Sequence, residues 1–377
     1  MTTTLSRRLW LKRSAMAAAL LPVSAWYDPV QAMSKYYNPK QLYAAGSIRL
    51  NLNENAYGPS DAAKQAIMES LSEANRYPRQ FISNLKNEIA KREGVTPEHI
   101  MITAGSTELL GLAGLYFGLH GGELLACHPT FDFLMTYAEV LGCKWARTPV
   151  DENFQYDLNA LSNLAGPSTK LIFICNPNNP TGIEIPYAQL KSFCEAHASK
   201  YPVYIDEAYI ELSPAGKENS TTSLIHSNPK LIIGRTFSKV HGLAGMRIGY
   251  AIAHPDVIRG MSELHIGRNQ SISSAACAAA LAGLHDQQFE NFSRTKIIEG
   301  REMVSKAFDS WGVKYLPSAA NFIFFKNDKF SIDPVKAMAQ ENIFLRNYDY
   351  VPDWTRVSIG TVEEMKSFVT AAGKYIA

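Results

Sequence analysis

The sequence predicts an α/β protein with a mainly parallel central sheet between helices and a smaller α/β unit at its carboxyl end. Short apolar strands alternate with helical stretches as far as residue 253, an alternation typical of a parallel sheet covered by helices on both faces. Stretches such as 171–175 are apolar throughout, as strands buried on both faces are. The chain has 377 residues, 46% of them hydrophobic, which is enough for a large core and about two domains.

The first half is predicted to contain two helices and then a strand-turn-helix unit. Ser60 is a favourable N-cap, and apolar residues recur after it at helical spacing, so a helix is predicted over 60–71. A second helix is predicted over 80–93, and a strand over 100–103 leads through a turn into a helix over 108–119. Backbone amides at the start of such a helix favour an anion, so this turn is a predicted phosphate site.

The second half is predicted to complete the sheet and then to form the smaller unit. The predicted elements are a strand over 250–253, a helix over 274–284, a longer helix after Asp286, strands over 321–326, 343–346 and 355–359, and helices over 334–341 and 362–375. The predicted domains are an N-terminal arm (33–59), a large domain (60–285) and a small C-terminal domain (286–377). A cleft between the two domains is the expected place for a cofactor and a substrate.

One lysine stands among hydroxyl-bearing and small residues in segment 234–247, and an arginine follows it eight positions later. The Lys239 amine can form a Schiff base with a carbonyl cofactor when its surroundings lower its pKa. Thr236, Ser238 and Arg247 can together hold a phosphate. This combination indicates pyridoxal phosphate as the cofactor.

Such a cofactor needs a carboxylate beside its ring nitrogen, because the protonated ring is what withdraws electrons. Asp206 ends an apolar stretch, as a residue at the carboxyl end of a buried parallel strand does. Tyr209 follows three residues later. Asn179 lies in a turn rich in Asn, Pro and Gly, where its amide can donate to the phenolic oxygen of the cofactor.

The order of these motifs resembles that of the fold-type I aminotransferases: Asn-Pro-Thr-Gly at 179–182, Asp-Glu-Ala-Tyr at 206–209, and Ser-Lys at 238–239 with an arginine eight residues on. Five further segments are most similar to the histidinol-phosphate aminotransferases. They lie at 50–59, 76–78, 105–108, 320–322 and 355–361. The resemblance extends from about residue 48 to the end and implies a large pyridoxal phosphate-binding domain followed by a small one.

The resemblance also implies a role for each matching residue of the cofactor site. Lys239 is the expected base that moves a proton between substrate and cofactor, Asp206 the partner of the ring nitrogen, and Asn179 and Tyr209 the donors to the phenolic oxygen. The residues expected to hold the phosphate are Ser106, Thr107, Thr236, Ser238 and Arg247.

Five more residues are implied by the same resemblance. Phe131 takes the position of the ring that stacks on the cofactor, where tyrosine is commoner, so stacking is kept and a hydroxyl contact is lost. Tyr57 resembles a residue that reaches the cofactor phosphate of a partner subunit, which implies a homodimer with sites at the interface. Arg356 resembles the arginine that binds the substrate carboxylate, Arg346 a second arginine near the distal end of the substrate, and Asn55 is a third expected substrate contact.

The expected reaction is transfer of an amino group from an L-amino acid or an amino-alcohol phosphate to a 2-oxo acid, as in histidinol-phosphate transamination. Two tyrosines and a tryptophan in 347–355 keep a broad or aromatic amino-acid transaminase open. A pyridoxal phosphate-dependent decarboxylase of the threonine-phosphate type shares most of the motifs and stays open too, as does a catalytically silent exported protein that binds the cofactor. His241 is interpreted as a helix residue, with help in proton transfer as a minor hypothesis.

The first 32 residues resemble a twin-arginine export signal. Arg7 and Arg8 precede an alanine-rich, mildly apolar stretch, and small residues suited to cleavage follow it. The stretch is too short for a comfortable membrane span, so no stable membrane insertion is expected. The predicted location is therefore periplasmic or exported, with the cytoplasm as the alternative.

Charge and cysteine content narrow the range of partners. The net charge of +2 is too balanced for a nucleic-acid binder, so small molecules are the expected ligands. The five cysteines are odd in number and widely spaced, which indicates neither a disulfide framework nor a metal site. Buried free thiols are the preferred interpretation.

Overall fold

A computed structural model describes residues 46–267 and 271–377 of the chain. These residues form twelve strands in three sheets: β1 (Ile48–Arg49), β2 (Ile100–Thr103), β3 (Gly122–His128), β4 (Cys143–Pro149), β5 (Thr169–Cys175), β6 (Val203–Asp206), β7 (Leu231–Thr236), β8 (Gly249–Ala253), β9 (Phe322–Lys326), β10 (Ile343–Phe344), β11 (Arg346–Asn347) and β12 (Trp354–Ser358).

Eleven α-helices lie in the same described ranges. They are α1 (Asp61–Ser70), α2 (Arg79–Glu93), α3 (Ser106–Gly118), α4 (Phe133–Val140), α5 (Leu158–Leu164), α6 (Tyr187–His197), α7 (Pro255–Leu264), α8 (Ser274–His285), α9 (Gln287–Trp311), α10 (Pro334–Gln340) and α11 (Val362–Gly373).

The largest sheet has seven strands in the order β2-β8-β7-β6-β5-β3-β4. The pairs from β7 to β4 are all parallel, whereas β8 runs antiparallel to both of its neighbours. The prediction of a mainly parallel sheet is therefore confirmed. The exception matters for the site, because the amino end of β8 lies at the same edge of the sheet as the carboxyl ends of the other six strands.

Both faces of this sheet are buried, as the continuous apolar strands predict. One apolar cluster joins the sheet to helices α1, α2, α6 and α8, and another joins it to α3, α4 and α7. Side chains alternate between the two: Ile205 belongs to the first cluster and Tyr204 to the second. Successive residues at a strand end therefore reach opposite faces.

A second group of elements surrounds a three-stranded antiparallel sheet in the order β11-β12-β9. Helices α9, α10 and α11 supply apolar residues to its core, and so do Leu50, Tyr209 and Val240 from other parts of the chain. The segment before α1 is held here as well, because β1 pairs in parallel with β10. The boundary between a large and a small domain stays a prediction.

Most predicted elements agree with the structure to within a few residues. Ser60 caps α1 as expected, with its side chain accepting a hydrogen bond from the Ala63 amide at 3.1 Å. Helix α3 begins at Ser106, two residues earlier than predicted, with Gly105 as its N-cap.

The stretch predicted as one strand over 343–346 forms two short strands, so that prediction is wrong in its continuity. Ile343 and Phe344 pair with β1, whereas Arg346 and Asn347 pair with β12 in a different sheet. Leu345 between them is buried in the apolar cluster of the second group. The chain therefore changes sheets at one residue, which periodicity alone does not reveal.

Three expectations concern the termini and the cysteines. The predicted export signal and the first part of the predicted arm fall outside the described residues. Within 46–267 and 271–377, no helix is both long and apolar enough to cross a membrane. All five cysteines are buried free thiols, as the sequence indicated.

Candidate active site

The predicted site residues meet at the edge formed by the carboxyl ends of the parallel strands. Asp206 is the last residue of β6 and Thr236 the last of β7. Asn179 follows β5, and Phe131 follows β3. In open α/β sheets this edge is where ligands bind, so the fold alone brings together residues that are far apart in sequence.

Lys239 lies in the turn after β7, and its amine is held by a main-chain oxygen. Its Nζ donates to the Asn53 carbonyl at 3.0 Å and lies 5.2 Å from the centre of the Tyr209 ring. Removal from water lowers the pKa of Lys239 to about 8, the nearby Arg356 charge acts in the same direction, and Glu54 and Asp206 oppose them. A usable fraction of the amine is therefore neutral, and so nucleophilic, near neutral pH.

Asp206 is buried, and its carboxylate accepts a hydrogen bond from the Ala208 amide at 3.1 Å. Burial raises the pKa of Asp206 to about 7, although the Ala208 amide and the Lys239 charge favour its ionised form. A cation placed against this carboxylate would restore its charge. The protonated ring nitrogen of the predicted cofactor is such a cation.

Tyr209 and Asn179 are both buried and are both engaged by neighbours. The Tyr209 hydroxyl oxygen accepts from Asn53 Nδ2 at 3.0 Å, and burial raises the pKa of Tyr209, so the phenol keeps its proton. Asn179 Oδ1 accepts from Arg356 Nη1 at 2.6 Å, which leaves its amide nitrogen as the donor of that side chain. Both residues are thus able to donate to a ligand.

The predicted phosphate site forms at the start of α3. Gly105 has a φ of +83°, and the Arg247 guanidinium lies against it, so close that a Cβ on Gly105 would fall 2.4 Å from Nη2. The same nitrogen is 3.4 Å from Thr107 Oγ1. Free amides at a helix N-terminus beside a guanidinium favour an anion.

Two more predicted hydroxyl groups adjoin this helix start. Thr236 Oγ1 donates to Ser238 Oγ at 3.0 Å, and Thr236 pairs with Gly249 across the sheet. A Cβ on Gly249 would lie 2.7 Å from the Ser106 amide nitrogen. The structure therefore brings the predicted phosphate residues of three chain segments together.

Phe131 and Tyr57 are placed less directly by this single chain. The Phe131 ring lies parallel to that of Phe133, with centroids 6.2 Å apart. The Tyr57 hydroxyl accepts from the Val362 amide at 3.1 Å, and its ring packs edge-on against Phe292. The expected contact of Tyr57 with a partner subunit stays a prediction.

Arg356 and Arg346, the two predicted substrate arginines, face each other across β12 and β11 in register. Arg356 is buried and donates to Asn179 and to the Asn51 carbonyl, the latter at 2.7 Å. The Tyr348 ring centre is 5.5 Å from Arg356 Cζ and 5.4 Å from Arg346 Cζ. Both cations therefore lie against one aromatic ring.

Asn55 and His241 both lie close in sequence or in contact to the turn after Lys239. Asn55 Nδ2 donates to the Val240 carbonyl and to Ser293 Oγ, and Oδ1 accepts from the Tyr57 amide. Asn55 therefore anchors the segment before α1 to the turn after Lys239, and its expected contact with the substrate stays a prediction. His241 lies in that turn and not in a helix, so its interpretation as a helix residue is wrong.

Sequence reasoning assigned no role to Asn53 or Asn321, which line the site. The Asn53 carbonyl accepts both Lys239 Nζ and Asn321 Nδ2, each at 3.0 Å. Both asparagines lie in segments that carry the family resemblance, 50–59 and 320–322. The family resemblance of those segments was the only indication of a role in the site. The side-chain partners of both asparagines are more than 150 residues away.

These features fit pyridoxal phosphate. The site offers an amine of lowered pKa, a buried carboxylate opposite a place for a ring nitrogen, two donors for a phenolic oxygen, and an anion site at a helix start. Burying Asp206 without a cation is unfavourable, and the cofactor supplies that cation.

Comparison with known proteins agrees with this geometry. The family described as aminotransferase class I and II matches residues 45–371. A histidinol-phosphate aminotransferase of Moorella thermoacetica is 33% identical over 341 residues, covering 90% of this chain and 88% of the relative. An aromatic amino acid aminotransferase of Mycobacteroides abscessus is 34% identical over 327 residues, covering 86% and 92%.

A solved structure supports the fold. The crystal structure of a histidinol-phosphate aminotransferase from Sinorhizobium meliloti in complex with pyridoxal-5'-phosphate matches with a TM-score of 0.79 at 24% identity, covering 99% of this chain and 98% of that one. The predicted fold-type I architecture is confirmed. With the family match over most of its length and a site built from the same motifs, the chain belongs to the class I and II aminotransferases.

Proposed function

We propose that this aminotransferase moves the amino group of an anionic donor, with histidinol phosphate as the leading candidate, to a 2-oxo acid. Relatives that are about 32% identical to this chain over most of its length are named histidinol-phosphate aminotransferases. The structural observation that carries the proposal is Arg356, a buried guanidinium whose hydrogen-bond partners are a neutral amide and a main-chain carbonyl. No carboxylate in the described ranges pairs with it, so a substrate anion completes its environment.

The cofactor is pyridoxal 5′-phosphate, which when bound supplies an aldehyde that accepts an amino group and a ring that withdraws electrons from the reacting carbon. Lys239 takes the proton from that carbon and returns it, and a pKa of about 8 suits such a base near neutral pH. Asp206 holds the ring nitrogen in its protonated form. Tyr209 and Asn179 orient the phenolic oxygen by donating to it.

Arg346 supplies a second cation beside Arg356. It is the register partner of Arg356 on the neighbouring strand, so the two side chains emerge on the same face of the sheet. Two cations beside the Tyr348 ring suit a substrate with two charged groups, or a donor and an acceptor that each use one cation.

A panel of half-reactions tests the donor. Holoenzyme is mixed with single donors, including histidinol phosphate, glutamate and phenylalanine, and the loss of the cofactor's visible absorbance band is followed. Histidinol phosphate should react with the largest kcat/KM, and the product should be a carbonyl compound. Release of carbon dioxide would instead identify a decarboxylase.

Arg346→Gln sharpens the test. Loss of a charge-assisted contact should lower kcat/KM for histidinol phosphate by about 10- to 100-fold and change that for phenylalanine much less. An equal loss for both donors would contradict a role of Arg346 in binding the distal anion.

Aromatic amino acids are the second candidate donors. A group of aromatic side chains that begins at Tyr348, beside Arg356, favours them. The Tyr350 ring lies 5.3 Å from Tyr348 and 4.9 Å from His128, and His128 packs against Trp145. A relative named for aromatic amino acids is 34% identical. A larger kcat/KM for phenylalanine or tyrosine than for histidinol phosphate would favour this candidate.

A homodimer is part of the proposal, because Tyr57 is expected to serve the cofactor of a partner subunit. Tyr57→Phe and Lys239→Ala proteins are mixed, unfolded and refolded together. If Tyr57 acts across the interface, hybrid dimers contain one complete site and activity rises above that of either parent. No recovery, with hybrids detected by mass, would contradict the arrangement.

Export by the twin-arginine route is the last part, and it rests on residues 1–32 of the sequence alone. Replacing Arg7 and Arg8 by lysine should leave the protein in the cytoplasm of its host, while the unchanged protein reaches the periplasm. Cell fractionation with antibody detection measures both. An unchanged distribution would contradict the proposed signal.

A further inference from the structure

Asn53 is a buried asparagine in the left-handed region, with a φ of +54°. It lies between β1 and α1 and touches four residues that are distant in sequence. Its main-chain oxygen accepts Lys239 Nζ and Asn321 Nδ2, and its side chain meets Ser358 and Tyr209. Asparagine is among the few residues with a side chain that adopt this conformation readily.

Ser358 determines which way the Asn53 amide faces. The Asn53 backbone amide donates to Ser358 Oγ at 2.9 Å, and the single hydroxyl proton of Ser358 is donated to Asn53 Oδ1 at 2.8 Å. Because Oδ1 is taken by Ser358, Nδ2 faces the Tyr209 hydroxyl at 3.0 Å.

The direction of this last hydrogen bond matters for Tyr209. A phenol that accepts from Asn53 does not donate to it, so the Tyr209 proton remains for another acceptor. Tyr209 lies below Lys239, whose amine is 5.2 Å from the ring centre, and its ring is fixed edge-on against Phe322 at 5.3 Å. The Tyr209 hydroxyl can therefore donate its proton to a bound ligand.

We propose that Asn53, held by Ser358, is a positioning residue that keeps the Tyr209 hydroxyl as a donor toward the phenolic oxygen of pyridoxal phosphate. The inference rests on the cofactor site described above. An acceptor in place of Nδ2 would capture the Tyr209 proton and remove that donor, although the shape of the side chain would be unchanged.

The test uses the pH midpoint of the visible absorbance band of the holoenzyme without substrate. A donor on the phenolic oxygen draws negative charge away from the nitrogen that links Lys239 to the cofactor. Losing it makes that nitrogen hold its proton more tightly, so the midpoint rises. Tyr209→Phe should raise it by about one unit, the size of a hydrogen bond to a charged group.

Asn53→Asp and Asn53→Gly form the matched pair. The aspartate variant keeps the size and the acceptor for Ser358 but presents an acceptor to Tyr209, so the midpoint should rise by at least half the Tyr209→Phe shift. Glycine suits the positive φ and leaves the Tyr209 proton free, so the midpoint of that variant should stay close to that of the unchanged protein. If Asn53 had only a structural role, the glycine variant would shift the midpoint more than the aspartate variant does. That outcome would overturn the proposal.

The charge that Asn53→Asp adds is controlled in the Tyr209→Phe background. The charged and titratable groups near Tyr209 are Arg356, Cys175 and Asp206, together with Lys239, and all four are unchanged in these variants. If Asn53→Asp acts through Tyr209, it should produce little further shift in Tyr209→Phe protein. A shift of the same size in both backgrounds would show that charge alone is responsible and would overturn the inference.

Ser358→Ala provides an independent variant should the aspartate protein fold poorly. It removes the hydroxyl that holds Oδ1, so the amide can turn and accept from Tyr209, and the midpoint should rise. An unchanged midpoint in Ser358→Ala would contradict the proposal. If Tyr209→Phe itself produced no shift, the role of Tyr209 in the cofactor site would fail first, which separates the two conclusions.

Discussion

Asp206 occupies a position that disfavours its own charge until a cation lies against it. It ends a strand whose other residues are apolar, and it is almost fully removed from water, with 2% of its surface exposed. The cofactor-free protein therefore holds an acid whose pKa is about 7. Burying this acid without a cation makes the empty protein less stable. A cofactor whose ring nitrogen supplies the cation removes that unfavourable term, which adds to the free energy of cofactor binding.

We predict that Asp206→Asn stabilises the cofactor-free protein at pH 8. The folded-state pKa of about 7 lies above the unfolded value of about 3.9, so the unfolded chain binds fewer protons between these values and stability falls as the pH rises through them. In urea unfolding, the free energy of unfolding of the variant should exceed that of the unchanged protein by a few kcal/mol at pH 8 and by much less at pH 4.5. The same difference at both pH values would refute the assignment.

Lys239, Asp206, Asn179 and Tyr209 could be named from the sequence because each follows an apolar strand within a short motif. Asn53 could not, since its side-chain hydrogen bonds join it to residues 156 and 305 positions away. Neither spacing nor residue type reveals the left-handed conformation that turns its carbonyl toward Lys239. The placement of a single residue at the site is thus predictable where its motif is local, and its role stays a prediction.

At the scale of elements, the start of α3 depends on a glycine. Gly105 combines a positive φ with close contact to the Arg247 guanidinium, which crosses it to reach Thr107. Arg247 itself has a φ of +53°. The anion site is therefore set by backbone shape as well as by charge.

Gly105→Ala should weaken cofactor binding by about 10- to 100-fold, because its Cβ would displace Arg247, the arginine expected to contact the phosphate. Gly142→Ala is the matched control: its φ is +84°, and nothing lies within 4 Å of an added Cβ. Dissociation constants come from titration of the cofactor-free proteins. Equal weakening in both variants would mean that backbone strain, and not the position of Arg247, accounts for the loss.

Element bounds were predictable wherever a cap or a periodic pattern marks them. Helix α11 begins with a reciprocal cap between Thr361 and Glu364, and α1 begins at Ser60 as expected. The 343–347 stretch was not predictable as two strands, because a run of apolar residues looks the same whether it pairs with one sheet or two. The difference lies in β1, which is nearly 300 residues earlier.

At the scale of the whole molecule, a buried network of ion pairs lies behind the candidate active site. Its side chains are on the face of the sheet opposite to that of Asp206 and Thr236. Arg235 is 1% exposed, and its guanidinium contacts Glu207 at 2.8 Å and Glu211 at 3.3 Å, with Glu93 at 3.9 Å. Glu207 adjoins Asp206, and Arg235 adjoins Thr236. The network thereby fixes the ends of β6 and β7, which carry the site.

Arg235→Met should lower the free energy of unfolding by about 3–5 kcal/mol, because three buried carboxylates lose their shared cation. The exposed pair of Lys64 and Asp61 supplies the control, since Lys64→Met should have little measurable effect. Urea unfolding of the cofactor-free proteins compares them. A loss no greater than that of the control would contradict a stabilising role for the network.

The sequence predicted the sheet, its two covering layers and the second group of elements, because alternation and apolar runs reflect burial directly. It did not predict the network around Arg235. Glu207 and Arg235 stand beside the named site residues, but strand alternation sends their side chains to the other face, where Glu211 and Glu93 of α2 complete the network.

The single reversed strand has an evolutionary consequence. Arg247 reaches the predicted phosphate site because β8 enters the sheet from the edge at which β7 leaves it, so the segment from Lys239 to Gly249 sets the distance between the Lys239 amine and the Arg247 guanidinium. Insertions or deletions in this segment should be purged by selection. The turn before β5 lies at the opposite edge of the sheet, so we expect a change in its length to leave the distance between Lys239 and Arg247 unaltered.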